Sequence, residues 1–316
     1  MRIVVTGGAG FIGSNFIKYM LNKYPDYKIT NIDKLTYAGN LANLTELKDN
    51  KNYTFLKADI NDEKAMAKVT VDQDLIINFA AESHVDNSIT SPKAFLETDV
   101  FGTFTLLEQA RKNDIPFFQI STDEVYGQIR EGSFTEKSRL NPRNPYSVAK
   151  LAAERLTHSY FTTYKLKTFI TRGSNTFGPN QHTEKLIPRF ITNLLTNKKV
   201  PVYGTGLNVR DWLYVFDHCS AIDTIFHNAK PGSLFNIGGG NERTNLWITK
   251  FILKELSHSN NMIEFVKDRP GHDFRYALDC QKIKDELGWQ PESTFESSLK
   301  DTIKWYKKNT AWWQNG

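Results

Sequence analysis

The stretch Arg2-Ile3-Val4-Val5-Thr6-Gly7-Gly8-Ala9-Gly10-Phe11-Ile12-Gly13 follows the initial methionine. Its first five residues are mostly β-branched and apolar, which predicts a short buried strand. Apolar residues at helical spacing then run from Ser14 to Asn22. A strand, a glycine-rich turn and a helix in this order are the context in which a dinucleotide-binding site occurs. The sequence therefore predicts the first half of a nucleotide-binding fold.

The glycines of this turn fit two spacings of the dinucleotide motif. One uses Gly8, Gly10 and Gly13, and the other uses Gly7 in place of Gly8. In both, a side chain at the last two positions would keep a pyrophosphate away from the amides at the start of the helix. A glycine pattern alone is weak support for a nucleotide site, and the flanking strand and helix strengthen it.

An acidic residue stands where such a fold would bind a ribose. Lys28 to Ile32 are predicted to form a second strand, and Asp33 follows it, twenty residues after Gly13. A carboxylate there bonds the ribose hydroxyls and repels a 2′-phosphate, which favours NAD over NADP. Lys34 beside it weakens that preference. The alternative is that Asp33 only caps a turn.

Three further strands are predicted at Tyr53–Leu56, Leu75–Phe79 and Phe117–Ile120. Strands that alternate with helices indicate an α/β protein with a Rossmann-type, doubly wound parallel sheet. Shorter elements after about Arg172 indicate a smaller C-terminal α/β substrate-binding lobe. The predicted domains are 1–175 for the nucleotide and 176–316 mainly for the substrate, with some segments returning to the first domain.

Two short pieces carry candidate catalytic residues. Thr122, Asp123 and Glu124 follow the Phe117–Ile120 strand, and ligands of open α/β sheets lie beyond the carboxyl ends of strands. Tyr146 and Lys150 are four apart in a predicted helix and share one face. A nearby ammonium favours ionisation of a tyrosine, which could then accept a proton. Taken alone, each piece could equally be a solvated surface pair.

Composition restricts the class of protein. The chain has 316 residues, is 40% hydrophobic and carries a net charge of +5 without a long basic run, so nucleic acid is not an expected partner. No apolar run is long enough for a membrane span or a signal peptide. Two cysteines and seven histidines lack metal-ligand spacing, so no metal is expected. A reducing, cytoplasmic location is predicted.

The residues from Gly7 to Gly13, with Asp33, Tyr146 and Lys150, resemble those of the extended short-chain dehydrogenase/reductase superfamily. Within it, the chain is similar to the dTDP-glucose 4,6-dehydratases. The motifs that carry this similarity are the residues 122–124 (TDE), 81–86 (AESHVD), 184–188 (EKLIP) and 269–273 (RPGHD). They span nearly the whole chain, and the combination is highly specific. One departure is Phe177, where the family often has tyrosine.

The resemblance implies an NAD-dependent hydro-lyase that converts dTDP-glucose to a 4-keto-6-deoxy sugar nucleotide for rhamnose-type deoxysugar synthesis. Oxidation at C4 makes the C5 proton acidic, because it is then α to a carbonyl. By resemblance, Glu124 removes that proton, Asp123 protonates the departing C6 hydroxyl, and the hydride held by NADH returns to C6. Two neighbouring acids suit this task because their proximity separates their pKa values.

The resemblance also implies the remaining site residues. Lys185, Arg210 and Arg269 are candidates for a pyrophosphate clamp, since charge-assisted bonds suit a phosphate bridge. The expected catalytic residues are Thr122, Asp123, Glu124, Tyr146 and Lys150. Expected NAD-binding residues are Gly7, Gly10, Phe11, Ile12, Gly13, Asp33, Lys34, Leu35, Thr36, Asp59, Ile60, Ala80, Ala81, Ser83, Thr98, Tyr146 and Lys150. Expected substrate-binding residues are Ser83, His84, Thr122, Asn175, Lys185, Leu186, Pro201, Val202, Tyr203, Arg210, Asn245, Arg269 and His272.

A homodimer is expected by resemblance, built through the long predicted helices near 95–112 and 146–164. Two alternatives remain open at this point. A UDP-sugar 4-epimerase or decarboxylase would share the glycine motif and the Tyr-Lys pair, but usually lacks the Asp-Glu pair after the threonine. A non-catalytic nucleotide-binding regulator would not need both acids together with the Tyr-Lys pair.

Overall fold

The computed structural model describes residues 1–268 and 272–314. Within them, a seven-stranded parallel sheet occupies the centre, with the order β10-β6-β5-β4-β1-β2-β3. The strands are β1 (Arg2–Thr6), β2 (Lys28–Asp33), β3 (Tyr53–Lys57), β4 (Leu75–Asn78), β5 (Phe117–Thr122), β6 (Thr168–Gly173), β7 (Asn175–Phe177), β8 (Val200–Tyr203), β9 (Val209–Tyr214), β10 (Ser233–Ile237), β11 (Glu242–Thr244) and β12 (Ile263–Val266).

Helices cover both faces of this sheet. They are α1 (Phe11–Lys23), α2 (Glu63–Val69), α3 (Val85–Thr90), α4 (Pro92–Phe95), α5 (Thr103–Lys112), α6 (Pro145–Tyr164), α7 (Leu186–Leu195), α8 (Val215–Asn228), α9 (Asn245–Glu255), α10 (Gln281–Leu287), α11 (Phe295–Lys308) and α12 (Thr310–Gln314). A π-helical segment, Leu96–Gly102, joins α4 to α5, and 3-10 turns lie at Leu41–Leu47, Asp123–Tyr126 and Asn260–Met262. No described helix is both long and apolar enough to span a bilayer.

Alternate residues of each central strand pack into two different cores. In β1, Ile3 and Val5 join the core under α1 and α8, while Val4 joins the core under α2 and α5. The fully buried Ile76 of β4 likewise faces the second core. Burial on both faces explains why these strands are continuous apolar runs without polar alternation. The predicted doubly wound α/β class is confirmed.

The strand order reverses between β1 and β4, because the chain runs outward to β3 and then returns beside β1. At such a switch point the crossover helices lie on opposite faces and leave a crevice beyond the carboxyl ends of the strands. The glycine turn after β1, the residues after β4 and the acids after β5 therefore meet at one edge of the sheet.

The C-terminal lobe has its own core and two small sheets. The order of the first is β11-β9-β7, and β12 pairs with β8 in the second. In the core of this lobe, the Phe177 ring meets the rings of Trp212 and Phe295 edge to face. β10 and α8 return to the central sheet, where β10 pairs with β6. A domain boundary after residue 175 stays a prediction.

The long helix predicted near 95–112 is interrupted by a π-helical segment. Ser91 is the N-cap residue of α4, but its side chain makes no capping hydrogen bond. From Leu96 to Gly102 the turn widens, and this segment contains Thr98 and Asp99. Such widened turns occur often at functional sites because they redirect a side chain. The sequence pattern did not indicate it.

Candidate active site

One cavity of about 730 Å³ lies at the carboxyl edge of the sheet and extends under the C-terminal lobe. Its wall contains all five expected catalytic residues, Thr122, Asp123, Glu124, Tyr146 and Lys150. The expected binding residues on the wall are Gly7, Gly10, Phe11, Ile12, Gly13, Asp33, Lys34, Thr36, Asp59, Ile60, Ala80, Ala81, Ser83, His84, Thr98, Asn175, Lys185, Leu186, Pro201, Val202, Tyr203, Arg210, Asn245 and His272.

Among the expected residues that the structure describes, Leu35 is not on that wall. Leu35 contributes its backbone instead: its N–H donates to Asp33 Oδ1 at 2.8 Å, from a left-handed φ of 58°. Leu35 thus orients the Asp33 carboxylate although it does not line the cavity. Arg269 lies outside the described residues.

The glycine turn has the shape that a pyrophosphate requires. A Cβ on Gly13 would stand 2.5 Å from the carbonyl oxygen of Gly7, and Gly7 itself has a φ of 68°. Gly10 is the N-cap of α1 and offers no side chain to the free amides of the first turn. These amides face the cavity at the positive end of the helix dipole, so the residues present fit a bound dinucleotide phosphate.

The surroundings of Asp33 favour a ribose over a phosphorylated ribose. Asp33 Oδ2 accepts a hydrogen bond from the amide of Ala9 at 2.9 Å. The Lys34 ammonium is 2.6 Å from Asp59 Oδ2. Although partial burial acts against it, this bond holds the pKa of Asp59 below its usual value. The Lys34 charge is therefore paired with Asp59, and this pairing opposes its use to bind a 2′-phosphate.

The two acids differ in their surroundings although they are adjacent. Thr122 caps the 3-10 turn that follows β5, and its hydroxyl contacts Asp123 Oδ1 at 3.2 Å and the amide of Glu124 at 3.3 Å. Asp123 is buried, and its Oδ2 has no hydrogen-bond partner among the described residues. Glu124 is half-buried and accepts a hydrogen bond from Asn144 Nδ2 at 3.0 Å.

Burial and then the Glu124 charge raise the pKa of Asp123 to about 8, while Arg210 opposes them. Arg210 is itself buried and donates to the carbonyl oxygens of Val209 and Asp273 at 2.7 and 2.8 Å. The turn after β5 thus presents a neutral carboxylic acid at neutral pH. A protonated acid beside a second carboxyl group is the arrangement that proton donation and proton removal at neighbouring atoms require.

Tyr146 and Lys150 share the inner face of α6. Burial and then the Glu124 and Asp99 charges raise the pKa of Tyr146, while the Thr122 hydroxyl opposes them. Lys150 is 4% exposed, and burial lowers its pKa. Its ammonium lies 3.6 Å from Asp99 Oδ1, an ion pair longer than a hydrogen bond. Ionisation of Tyr146 therefore depends on positive charge close to it.

The substrate side of the cavity is polar and partly unsatisfied. Lys185 Nζ donates to the carbonyl oxygen of Ser83 at 2.8 Å, and the rings of Tyr203 and His272 meet edge to face. Asn175 Oδ1 and Asn245 Oδ1 are buried without a hydrogen-bond partner among the residues described. Buried polar atoms are normally bonded, so both point to a ligand that would satisfy them.

Comparison with known proteins identifies the family. A family model described as GDP-mannose 4,6 dehydratase matches residues 4–302. The dTDP-glucose 4,6-dehydratase of Streptomyces niveus is 46% identical over 99% of this chain and 95% of its own length. The chain belongs to the dTDP-glucose 4,6-dehydratase family.

Two further proteins are similar over nearly the whole chain. The low-salt glycan biosynthesis protein Agl12 of Haloferax volcanii is 50% identical over 97% of this chain and 98% of its own length. The dTDP-glucose 4,6-dehydratase DesIV of Streptomyces venezuelae was solved with NAD and dTDP bound. It is 44% identical, with a TM-score of 0.98 over 100% of this chain and 99% of that one. Dehydratases of this family are NAD-dependent hydro-lyases, and the predicted cofactor and enzyme class are confirmed.

Three residues of the dehydratase site were absent from the predicted set. Asp99 faces Lys150 from the π-helical segment, and Asn144 bonds Glu124. His218 lines the cavity, where its Nδ1 meets Thr176 Oγ1 at 2.9 Å and its Nε2 has no partner among the described residues. Burial lowers the pKa of His218 to about 4, so this ring is neutral at physiological pH. Of the three, only Asp99 had a sequence feature that could have marked it as a site residue, namely a carboxylate within an apolar helical pattern.

Proposed function

We propose that this protein is a dTDP-glucose 4,6-dehydratase that forms dTDP-4-keto-6-deoxyglucose. The single observation that carries the proposal is the adjacency of Asp123 and Glu124 at the end of β5, opposite Tyr146. An oxidoreductase that only interconverts an alcohol and a ketone needs the tyrosine and lysine. The elimination of water between those two redox steps needs an additional base and an additional acid.

Tyr146 accepts the proton of the sugar C4 hydroxyl. Lys150, four residues along the same face of α6, supplies the charge that stabilises the resulting phenolate, and the Thr122 hydroxyl lies close to the Tyr146 hydroxyl. NAD supplies the redox chemistry of the cycle, taking a hydride from C4 at the start and returning it to C6 at the end, when C5 regains a proton.

Glu124 is the base that removes the C5 proton, and Asp123 is the acid that protonates the C6 hydroxyl as it leaves. The assignment follows from the surroundings of each group. Burial and the neighbouring charge keep the pKa of Asp123 at about 8, so it holds a proton to give at neutral pH. Glu124 is half-buried, and its carboxylate accepts a hydrogen bond from Asn144 Nδ2, which holds it in place beside the sugar.

The groups lining the C-terminal lobe bind the nucleotide. Lys185 and Arg210 supply positive charge for the pyrophosphate, and the segment Pro201–Tyr203 covers the base. Asn175 and Asn245 bond the sugar nucleotide through their unsatisfied amides. Arg269, expected in the same clamp, lies outside the described residues.

Incubation with dTDP-glucose, UDP-glucose and GDP-mannose tests this function. We expect loss of one water from dTDP-glucose, detected by mass spectrometry, with slower or no loss from the other two. An unchanged mass with an altered sugar would indicate an epimerase, and no turnover of any sugar nucleotide despite NAD binding would indicate a regulator. We further propose that the product serves rhamnose-type deoxysugar synthesis and that the enzyme acts in the cytoplasm.

We also propose a homodimer. Large apolar side chains are exposed on the π-helical segment, α5 and α6, which pack side by side: Leu96, Phe101, Phe104, Val148 and Tyr164. An exposed apolar surface of this kind marks an interaction site. A second copy related by a two-fold axis would cover the same surface on both chains, because such an interface is self-complementary.

A further inference from the structure

Asn144 stands between the two elements that carry the chemistry. It is the N-cap of α6, the helix of Tyr146 and Lys150. Its Oδ1 accepts a hydrogen bond from the amide of Ser147 at 2.8 Å, and Ser147 Oγ accepts from the amide of Asn144 at 3.3 Å. These two bonds form a reciprocal capping box at the start of α6.

The same side chain reaches the catalytic turn after β5. Asn144 Nδ2 donates to Glu124 Oε2 at 3.0 Å. The orientation of the amide is determined by the cap: Oδ1 must face the N–H of Ser147, so the NH₂ group is the part that meets the carboxylate. An NH₂ group only donates, so Glu124 Oε2 is the acceptor of this hydrogen bond.

Glu124 has charged and titratable neighbours on several elements. Asp123 lies beside it on the same turn, Tyr146 faces it from α6, and Tyr276 faces it from the segment after Asp273. None of these is a cation. The nearby guanidinium of Arg210 interacts electrostatically with Asp123 and Tyr276. Among the neighbours identified in the described residues, the Asn144 amide is the donor within hydrogen-bond distance of the Glu124 carboxylate.

We infer that Asn144 is a positioning residue for the elimination step, holding one oxygen of Glu124 so that the other is aimed at the sugar C5 proton. The inference rests on the proposed function. It also explains how C4 oxidation and the elimination of water are coordinated. Tyr146 follows Asn144 by two residues, so the Asn144 side chain fixes the position of Glu124 relative to Tyr146. The groups that act on the adjacent carbons C4 and C5 are thereby held at a fixed distance from each other.

Replacement of the cap by a shorter cap separates the two roles of Asn144. Asn144→Ser keeps an N-cap of equal preference but shortens the side chain beyond reach of Glu124. Asn144→Asp keeps both the cap and the length but places an acceptor against the carboxylate. Asp62→Ser is the matched control, because it exchanges one N-cap for another at the exposed start of α2, away from the cavity.

The readout is a single turnover with dTDP-glucose, in which reduced nicotinamide absorbance reports C4 oxidation and mass spectrometry reports water loss. For Asn144→Ser we expect oxidation within about twofold of the parent and elimination slower by about tenfold or more, since small misplacements of a catalytic group cost factors of this size. For Asn144→Asp we expect slower elimination still, with its acid limb moved to higher pH, because an added negative charge disfavours a charged base.

Three outcomes would overturn the inference. Elimination by Asn144→Ser at the parental rate would remove the positioning role. Equal slowing of oxidation and elimination, with a lowered melting temperature, would assign the effect to the helix cap alone. If the parent protein forms no reduced nicotinamide with dTDP-glucose, the proposed function has failed and the inference with it, whereas a parent that turns over isolates the failure to Asn144.

Discussion

The Asp99 carboxylate lies 3.6 Å from the Lys150 ammonium, and both side chains are almost fully shielded from solvent. Burial raises the pKa of Asp99 to about 7, and Lys150 opposes that shift. The pKa of Lys150 moves the other way, because burial lowers it and Asp99 opposes. The charge of each partner therefore opposes the effect of burial on the other, and the lysine that supports Tyr146 depends on a residue of the π-helical segment.

We predict that Asp99→Asn moves the whole pH profile of C4 oxidation to lower pH. Without the Asp99 charge, the buried Lys150 loses its proton more readily, which moves the alkaline limb of the profile to lower pH. Removal of the Asp99 charge also favours ionised Tyr146, which lowers the acid limb. The measurement is the single-turnover rate of oxidation against pH. Glu97→Gln, an exposed neighbour in the same segment, is the control, and an unshifted profile for Asp99→Asn contradicts the coupling.

We predict that Asp123→Asn stabilises the ligand-free protein, more at about pH 8 than at about pH 5. The folded-state pKa of Asp123 is about 8, above the unfolded value of about 3.9. Between these values the folded protein holds a proton that the unfolded chain has released, so the free energy of unfolding falls as pH rises. The asparagine variant lacks this slope, and its advantage reaches on the order of a few kcal/mol at the alkaline end.

Urea unfolding at several pH values without ligand measures this effect. Asp49→Asn, at an exposed position, serves as the control and should leave the pH dependence of the unfolding free energy unchanged. A constant stability difference between Asp123→Asn and the parent across this pH range would mean that Asp123 titrates normally in the folded protein.

The sheet and the cofactor end of the cavity were predictable because their signals are local. A strand, the glycines up to Gly13 and a helix occupy one short stretch, and Asp33 follows at a spacing fixed by the βαβ unit. The Asp123–Glu124 pair follows its strand directly. Such features require no knowledge of which distant residue packs where, and the sheet order observed is the one that alternating strands and helices imply.

The contacts that tune the acids were not predictable for the opposite reason. Asp99 meets Lys150 because a widened turn rotates it toward α6, and no composition signal marks that turn. Asn144 reads as a helix cap in the sequence, and its second bond to Glu124 exists only when α6 packs against the turn after β5. The lowered pKa of His218 likewise results from the burial of its side chain, which depends on how α8 packs in the folded protein.

We predict that Phe101→Glu converts the protein to a monomer. Phe101 is 61% exposed in the single chain and is the most exposed of the large apolar residues on the π-helical segment, α5 and α6. A charge there would be buried unpaired in a two-fold interface, which is strongly unfavourable. Light scattering after size exclusion should give about twice the 36.3 kDa chain mass for the parent and about the single mass for the variant.

Phe265→Glu tests whether any exposed phenylalanine would have this effect, since Phe265 is 59% exposed on β12, away from that surface. It should leave the mass of the assembly unchanged. A parent protein that elutes as a monomer at micromolar concentration would contradict the dimer.

We predict that Glu124→Gln separates oxidation from elimination. Glutamine keeps the size of the side chain, and its carbonyl oxygen can still accept the hydrogen bond from Asn144, so the turn after β5 keeps its shape. The amide cannot accept the C5 proton, and loss of a general base slows the step it serves by about 10²- to 10⁴-fold. C4 oxidation relies on Tyr146, Lys150 and Thr122 and should proceed. Reduced nicotinamide should therefore accumulate on the enzyme while water loss from dTDP-glucose falls.

The control is Glu131→Gln, at an exposed position, which should dehydrate dTDP-glucose at the parental rate. Dehydration by Glu124→Gln at the parental rate would transfer the role of base to another group, and Asp123, adjacent and also on the cavity wall, would be the residue to test next.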